Sequence, residues 1–199
     1  MTDRKKYFFN IRILLLLVTT ALIFVSCGTG NLINDFNGGF EKESENNYLP
    51  EGWYSNVLPG SNKKIKISLD ENIFHSGDKS ICFDLTNVDK NGKFLYKFVK
   101  RLSGIKPSET YDLSAWVKTK GIYKSPFVTI ECYNDKIIVG RATTKKLNLK
   151  NDSQDWKKIG IKFKIPADTK KILLLINVPS EENAGGKVWI DDVDIQKVE

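Results

Sequence analysis

Apolar and polar residues alternate along Tyr111-Asp112-Leu113-Ser114-Ala115-Trp116-Val117-Lys118. Successive side chains of a β-strand point to opposite faces of the sheet, so this alternation predicts a strand. We expect its odd-numbered residues in the core and its even-numbered residues, including Trp116, on the other face. Helical periodicity does not extend over any useful length of the chain.

Short apolar runs of the same kind recur along the chain, separated by Gly, Pro, Asn and Asp residues. They predict further strands at residues 65–69, 81–85, 94–99, 127–133, 159–165, 172–178 and 188–195. Asn91-Gly92 is a candidate hairpin turn between two of them. Eight or nine strands in about 170 residues, without an internal repeat, predict an all-β fold: a two-sheet antiparallel β-sandwich, most simply a jelly roll.

The composition excludes several common chemistries before any site is considered. The chain has 199 residues, 41% of them hydrophobic and 28% charged, which indicates one folded domain with a short appendage. His75 is the only histidine, and the three cysteines form no Cys-x-x-Cys pair, so His-rich and cysteine-based zinc sites are excluded. Cys82 and Cys132 lie in apolar, strand-like runs, where a buried thiol and a disulfide both remain open.

Residues 1–26 have the pattern of an export signal peptide. Four basic residues lie among the first twelve, and residues 13–25 form an apolar or Thr run that is shorter than the ~20 residues of a membrane span. Phe24-Val25-Ser26-Cys27 resembles a bacterial lipobox, which implies that Cys27 is lipidated and that residues 27–30 form a short tether. We therefore expect a bacterial cell envelope protein, anchored to a membrane by acyl chains. The alternatives are an ordinary signal peptide with an incidental Cys, or an uncleaved anchor.

The charge beyond this signal does not favour a nucleic-acid partner. Removal of residues 1–26, which hold four basic residues and one acidic residue, lowers the formal net charge from +7 to +4. The lysine pairs at 63–64, 145–146, 157–158 and 170–171 are scattered and interleaved with acidic residues. A nucleic-acid binder concentrates positive charge on one face, so we expect no nucleic acid as a partner.

Three landmarks occur in order along the rest of the chain. Asn37-Gly38-Gly39-Phe40-Glu41 lies near the start, His75-Ser76-Gly77 leads into a strand, and Val188-Trp189-Ile190-Asp191-Asp192-Val193 lies near the end. Together with the stretch quoted first, they resemble the carbohydrate-binding modules of the family 4, 9 and 22 type. These modules have a galactose-binding-like jelly roll, so the resemblance implies one such domain over residues 31–199.

The resemblance also implies a structural calcium ion where the first and last landmarks meet. Glu41 and Asp192 would contribute side chains, and Gly39 and the turn at residues 76–79, which begins at Ser76, would contribute carbonyls. Six to eight oxygen ligands are what Ca²⁺ requires. The alternative is that Gly39 only permits a turn, that Glu41 is solvated, and that Asp191-Asp192 mark a β-bulge.

Candidate sugar contacts are outward aromatic residues with polar side chains nearby, because a sugar ring has C–H groups on its faces and hydroxyls around its rim. Alternation along residues 127–133 turns Glu131 and Tyr133 outward, and alternation along residues 81–85 does the same for Asp84. We predict one sheet face that carries Trp116, Tyr133, Glu131 and Asp84, bordered by Tyr96 and Trp53.

These features predict a protein that binds carbohydrate without turning it over. Catalysis by His75 would need a nucleophile or acid partner that its spacing does not supply, and no compact run of carboxylates resembles a glycosidase site. The alternative is a structural or adhesive lipoprotein that contacts other envelope proteins on the same sandwich, with glycoside hydrolase or lyase activity a distant third. The sequence does not name the glycan, the membrane leaflet or the oligomeric state.

Overall fold

The computed structural model describes residues 36–45, 49–57, 64–91, 93–149, 153–180 and 182–198. In these residues the regular secondary structure consists of ten β-strands. They are β1 (Trp53–Ser55), β2 (Lys66–Asp70), β3 (Ser80–Asp84), β4 (Leu95–Leu102), β5 (Thr110–Lys120), β6 (Phe127–Asn134), β7 (Ile137–Thr143), β8 (Gln154–Lys164), β9 (Lys171–Pro179) and β10 (Lys187–Lys197).

The strands form two antiparallel sheets of five, in the orders β1-β4-β9-β6-β7 and β2-β3-β10-β5-β8. This confirms the predicted all-β sandwich. Two strands were not predicted: β1 has only three residues, and β7 begins with three consecutive apolar residues instead of an alternation. The hairpin prediction at Asn91 is wrong, because β3 and β4 flank this segment and belong to different sheets.

The core lies between the sheets and follows the predicted alternation. The odd-numbered residues of β5 from Tyr111 to Val117 are buried in it, as are Val128, Ile130 and Cys132 of β6. Cys132 and Cys82 are both free thiols, on different sheets. Burial is the main cause that raises the pKa of the Cys82 thiol to about 12, so this thiol is protonated at neutral pH.

Two aromatic residues predicted to border a sugar platform lie in the core instead. Trp53 is 3% exposed, stacks on Phe98 with ring centroids 5.2 Å apart, and donates its indole N–H to the Asn37 carbonyl at 3.0 Å. Tyr96 is 1% exposed. The prediction was wrong for both, because Trp53 lies on the inward side of a strand too short to show alternation, and because Tyr96 shares the inward side of β4 with Phe98.

The segment that leads to β1 is joined to the last strand. β10 carries a register shift between Asp191 and Asp194, and at this bulge the Val193 N–H donates to the Gly38 carbonyl at 3.0 Å. A Cβ atom on Gly38 would lie 2.0 Å from the Val193 carbonyl oxygen, so a side chain cannot fit there. The motif around Gly38 therefore marks a close approach of two backbones.

The chain divides into two units, Met1–Gly30 and Asn31–Glu199, and all described residues belong to the second. The predicted signal peptide at residues 1–26, the lipidated Cys27 and the tether at residues 27–30 lie outside the described residues. Among the residues that are described, there is no helix long and apolar enough to span a membrane.

Candidate functional site

The outer face of the β1-β4-β9-β6-β7 sheet, here called the groove face, carries aromatic, polar and charged side chains from all five strands. Directly opposed residues of antiparallel strands point to the same side, so the register defines which residues share this face. One row runs from Tyr54 of β1 through Val99, Leu175 and Thr129 to Thr143 of β7. The neighbouring row contains Arg101, Leu173, Glu131 and Arg141.

Burial along these rows indicates that the middle of the groove face is sunken. Val99, Leu175 and Thr129 point outward and lie outside the hydrophobic core, yet all three are buried. On the edge strands, by contrast, Tyr54 is 49% exposed and the Arg141 side chain is 55% exposed. Side chains that project from the edge strands therefore flank a centre that is shielded from solvent.

Glu131 of β6 organises the polar groups of the groove face. Its Oε2 accepts a hydrogen bond from the Tyr133 hydroxyl at 2.6 Å, and its Oε1 accepts from Arg141 Nε at 3.0 Å and Nη2 at 2.8 Å. The hydrogen bond to Glu131 is the main cause that raises the pKa of Tyr133 to about 12, followed by burial. Tyr133 is therefore a neutral phenol at physiological pH, and Glu131 is an anchored acceptor.

The same face offers the chemistry that a sugar ring requires. Tyr54 and Tyr133 both project from it, and the charge of Tyr54 is among the minor causes that raise the pKa of Tyr133. Lys171 Nζ lies over the Tyr133 ring, 4.4 Å from its centroid. Asn177 is buried on this face and donates to Thr129 Oγ1 at 3.2 Å. Tyr54 and Tyr133 thus share this face with the hydrogen-bonded carboxylate of Glu131, and the Asn177 amide is occupied within the sheet.

The predicted platform residues do not share one face. Glu131 and Tyr133 lie together on the groove face, as their alternation predicted. Trp116 and Asp84 also point outward, but from β5 and β3 of the other sheet, whose outer surface is here called the opposite face. The prediction of a single platform is therefore wrong, because alternation gives the side of a strand that a residue occupies and not the sheet to which the strand belongs.

Several side chains of the opposite face contact one another. The His75 ring stacks on Trp116 with centroids 3.9 Å apart and 16° between planes, so one flat face of this indole is covered. Asp84 pairs with Lys187 at 2.7 Å, and Trp189 Nε1 donates to Asp70 at 2.8 Å. Asp70, Asp84 and Lys187 are among the residues that line a depression of about 490 Å³ on this face.

The four residues predicted to hold calcium, here called the oxygen cluster, are brought together. A Cβ atom on Gly39 would lie 3.8 Å from Asp192 Oδ1 and 3.9 Å from Glu41 Cγ, so both carboxylates flank this glycine. Ser76 Oγ donates to Asp192 Oδ1 at 2.7 Å. Glu41 Oε1 accepts from the backbone N–H groups of residues 78 and 79 at 3.1 and 3.3 Å.

The chemistry of the oxygen cluster fits a hard cation. Within the described ranges, no three His, Cys, Asp or Glu side chains form a metal-binding group, so an ion here would also need hydroxyl and backbone oxygens. An all-oxygen set of this kind is what Ca²⁺ accepts. The predicted bulge is present as well, and buried Asp191 holds the turn in place by accepting the His75 N–H at 2.7 Å and the Ser76 N–H at 3.2 Å.

Sequence reasoning missed two functional candidates, Tyr54 and Arg141. Trp53 and Tyr54 are adjacent aromatic residues, followed by the polar Ser55. The sequence of this segment does not show which of the two rings faces the core. Arg141 lies in β7, which was not predicted, so no register linked it to Glu131. Both residues become visible only when strand pairing is known.

Comparison with known proteins gives one family match that spans most of the chain. The family model described as "Carbohydrate binding domain" matches residues 35–184. A curated relative, the tRNA nuclease WapA of Bacillus subtilis (strain 168), is 24% identical over 170 residues. These residues are 85% of this chain and only 7% of that relative, so the match concerns a small part of WapA.

Solved structures of similar fold include two xylan-related modules. The CBM22-1 xylan-binding domain from Paenibacillus barcinonensis is 15% identical with a TM-score of 0.54, covering 81% of this chain and 92% of that domain. The CBM22-1–GH10 modules of a Clostridium thermocellum endo-1,4-β-D-xylanase, complexed with xylohexaose, are 15% identical with a TM-score of 0.53. This second match covers 74% of this chain and 26% of the xylanase chain. At these identities the likeness establishes the shared fold.

Proposed function

The chain belongs to the carbohydrate-binding domain family, and we propose that it binds a poly- or oligosaccharide through its groove face. The observation that carries this proposal is the combination, on one sunken sheet surface, of Tyr54 and Tyr133 with the hydrogen-bonded pair Glu131 and Arg141. The aromatic rings supply flat apolar contacts for sugar C–H groups. The anchored polar groups supply directional contacts for hydroxyls.

In this proposal the protein holds the glycan and does not cleave it. Glycosidases need two carboxylates on either side of the scissile bond, at ~5–5.5 Å or ~6.5–9.5 Å. Glu131 is the only carboxylate in the described strands of this sheet, and it is engaged by Tyr133 and Arg141. A carboxylate that is already hydrogen-bonded and ion-paired can position a ligand, but it is not free to act as a general acid or base.

We further propose that the protein acts at the bacterial cell envelope, attached to a membrane through a lipid on Cys27. This rests on the sequence pattern of residues 1–26 and lies outside the described residues. The test is growth of an expressing bacterium with an alkyne-tagged fatty acid. We expect label on the wild-type protein and none on the Cys27→Ser variant, and label on neither would contradict the anchor.

Calcium at the oxygen cluster is also part of the proposal, with a structural role. Glu41, Ser76, Asp192 and the backbone at Gly39 would hold the ion, and the ion would link the segment before β1 to the turn at Ser76 and to β10. The hydrogen bonds from Ser76 to Asp192 and from the backbone of residues 78 and 79 to Glu41 join parts of the chain that are distant in sequence. The cluster lies beside the opposite face, so glycan binding on the groove face needs no direct contact with the metal.

The test of the glycan proposal is a glycan array probed with three proteins: wild type, Tyr54→Ala and Trp116→Ala. We expect the wild type to bind one glycan class and Tyr54→Ala to lose most of that signal, because a stacking ring is removed. Trp116→Ala should bind like the wild type, since its indole lies on the opposite face. Circular dichroism and melting curves check that all three are folded. A folded wild-type protein that binds no glycan would contradict the proposal and favour contact with envelope proteins instead.

A further inference from the structure

The two outer faces of the sandwich differ in charge. In the strands of the groove-face sheet, the charged residues that point outward are four cations and one acid: Lys97, Arg101, Arg141, Lys171 and Glu131. The strands of the other sheet contain seven Asp residues among nine Lys residues. Acids are therefore scarcer among the outward charged residues of the groove face than among the charged residues in the strands of the other sheet.

In the described strands of this sheet Glu131 is the only acid, and it pairs with one of the four cations, Arg141. Glu131 is 7% exposed and is already bound by Arg141 and by the Tyr133 hydroxyl. In the described part of the chain, the side chains of Lys97 and Arg101 have no ion pair. Lys171 contacts the Tyr133 ring and likewise lacks a carboxylate partner there.

The arginines occupy opposite ends of one row across the sheet. Arg101 of β4 opposes Leu173 of β9, Leu173 opposes Glu131 of β6, and Glu131 opposes Arg141 of β7. Three interstrand spacings separate the ends of this row, which is about 14 Å. Two guanidinium groups thus flank a centre made of the Leu173 side chain and the hydrogen-bonded carboxylate of Glu131. Lys171 lies in the adjoining row on one side, and Lys97 lies two rows away on the other.

We propose that the glycan held by the groove face is anionic and carries carboxylate or sulfate groups along its chain. This inference rests on the proposed function. A guanidinium group binds a carboxylate or a sulfate through two parallel charge-assisted hydrogen bonds, and a partly shielded groove strengthens them. A neutral glycan would leave Arg101 and Lys97 without partners, whereas an anionic chain gives each of them one.

The test is isothermal titration calorimetry of the purified chain with three oligosaccharides of equal length. Xylohexaose is the neutral probe, hexagalacturonate carries carboxylates, and a hexameric carrageenan fragment carries sulfates. At about 50 mM salt we expect one anionic probe to bind at least about tenfold more tightly than xylohexaose. At about 500 mM salt this preference should shrink to a few-fold, because the groove remains partly open to solvent. Comparison of the two anionic probes identifies the charged group.

Two variants distinguish a specific anion contact at Arg101 from general attraction by the net positive charge of the protein. We expect Arg101→Gln to weaken binding of the preferred anionic probe about tenfold, with little effect on any xylohexaose binding. Lys164→Gln removes the same charge from the exposed outer side of β8 on the other sheet and should change affinity less than about twofold. Equal losses in both variants would overturn the inference, because they would show attraction by net charge alone.

The outcomes also distinguish this inference from the proposed function. If xylohexaose binds as tightly as both anionic probes and Tyr54→Ala abolishes that binding, the groove face binds glycans and the anionic class is wrong. If none of the three probes binds and the glycan array is also empty, the proposed function fails, and the inference fails with it.

Discussion

Glu131, Tyr133 and Arg141 show how a single carboxylate determines the state of its neighbours. We expect Glu131→Gln to lower the pKa of Tyr133 from about 12 towards the ordinary value of about 10, since the charged acceptor is its largest cause. NMR signals of labelled tyrosine rings, followed through an alkaline titration, measure this shift. A Tyr133 pKa that stays near 12 in a folded Glu131→Gln variant would contradict the assigned cause.

The direction of the Tyr133 pKa shift determines how the stability of the protein changes with pH. Because the folded state holds the Tyr133 proton more tightly, the stabilisation is fully present below the unfolded pKa near 10 and is lost as the pH rises through the folded pKa of about 12. We therefore expect the wild type to lose more stability than Glu131→Gln between pH 10 and pH 12. Urea unfolding at several alkaline pH values would measure the difference, and parallel losses would argue against it.

The turn at Gly77 requires a residue without a side chain. Gly77 has a φ of +66°, and a Cβ atom there would lie 2.1 Å from Glu41 Oε1. We expect Gly77→Ala to cost about 1–2 kcal/mol for the backbone conformation and a further amount for displacing Glu41. Gly185→Ala is a comparison without a side-chain clash, because Gly185 has a φ of +96° and nothing within 4 Å. A loss of only about 1–2 kcal/mol in Gly77→Ala, measured by urea unfolding, would show that the Glu41 contact contributes nothing.

Substitutions in the short strand β1 test which of its side chains packs in the core and which lies on the groove face. Trp53 and Tyr54 are neighbours, but only Trp53 packs between the sheets. We expect Trp53→Ala to lower the free energy of unfolding by about 3–5 kcal/mol and Tyr54→Ala to lower it by less than about 1 kcal/mol. Denaturant unfolding of the two variants measures this. Similar losses in both would contradict the assignment of Tyr54 to the outer face.

Particular elements show how far the sequence could predict the structure. Alternation of apolar and polar residues predicted the buried and outward sides of β5 and β6. Successive side chains of a strand point to opposite faces whichever strands lie beside it, so this feature can be read from the local sequence. Alternation could not bring Glu131 and Arg141 together or separate Trp116 from Tyr133, because strand order is set by pairings between residues far apart in sequence. Trp53 and Tyr96 were misplaced because aromatic residues serve equally well in a core and in a binding surface.

For the molecule as a whole, the oxygen cluster predicts that calcium stabilises the fold. If calcium binds the folded chain only, a concentration of about 100 times its Kd adds about 2.7 kcal/mol to the free energy of unfolding, or about 5–10 °C in Tm. We expect this gain to disappear with chelator and in Asp192→Asn. Asp194→Asn is the control, because this carboxylate contacts Gln196 and lies outside the cluster. An unchanged Tm in the wild type would rule out the metal.

Amide chemical-shift mapping by NMR measures whether the groove face binds the glycan. Titration of the isotope-labelled protein with the strongest glycan from the array should shift signals from β4, β6, β7 and β9 around Arg101, Glu131 and Arg141. Signals from β3, β5 and β10 around Trp116 should remain in place. Shifts confined to the Trp116 side would contradict the account and move the binding surface to the opposite face.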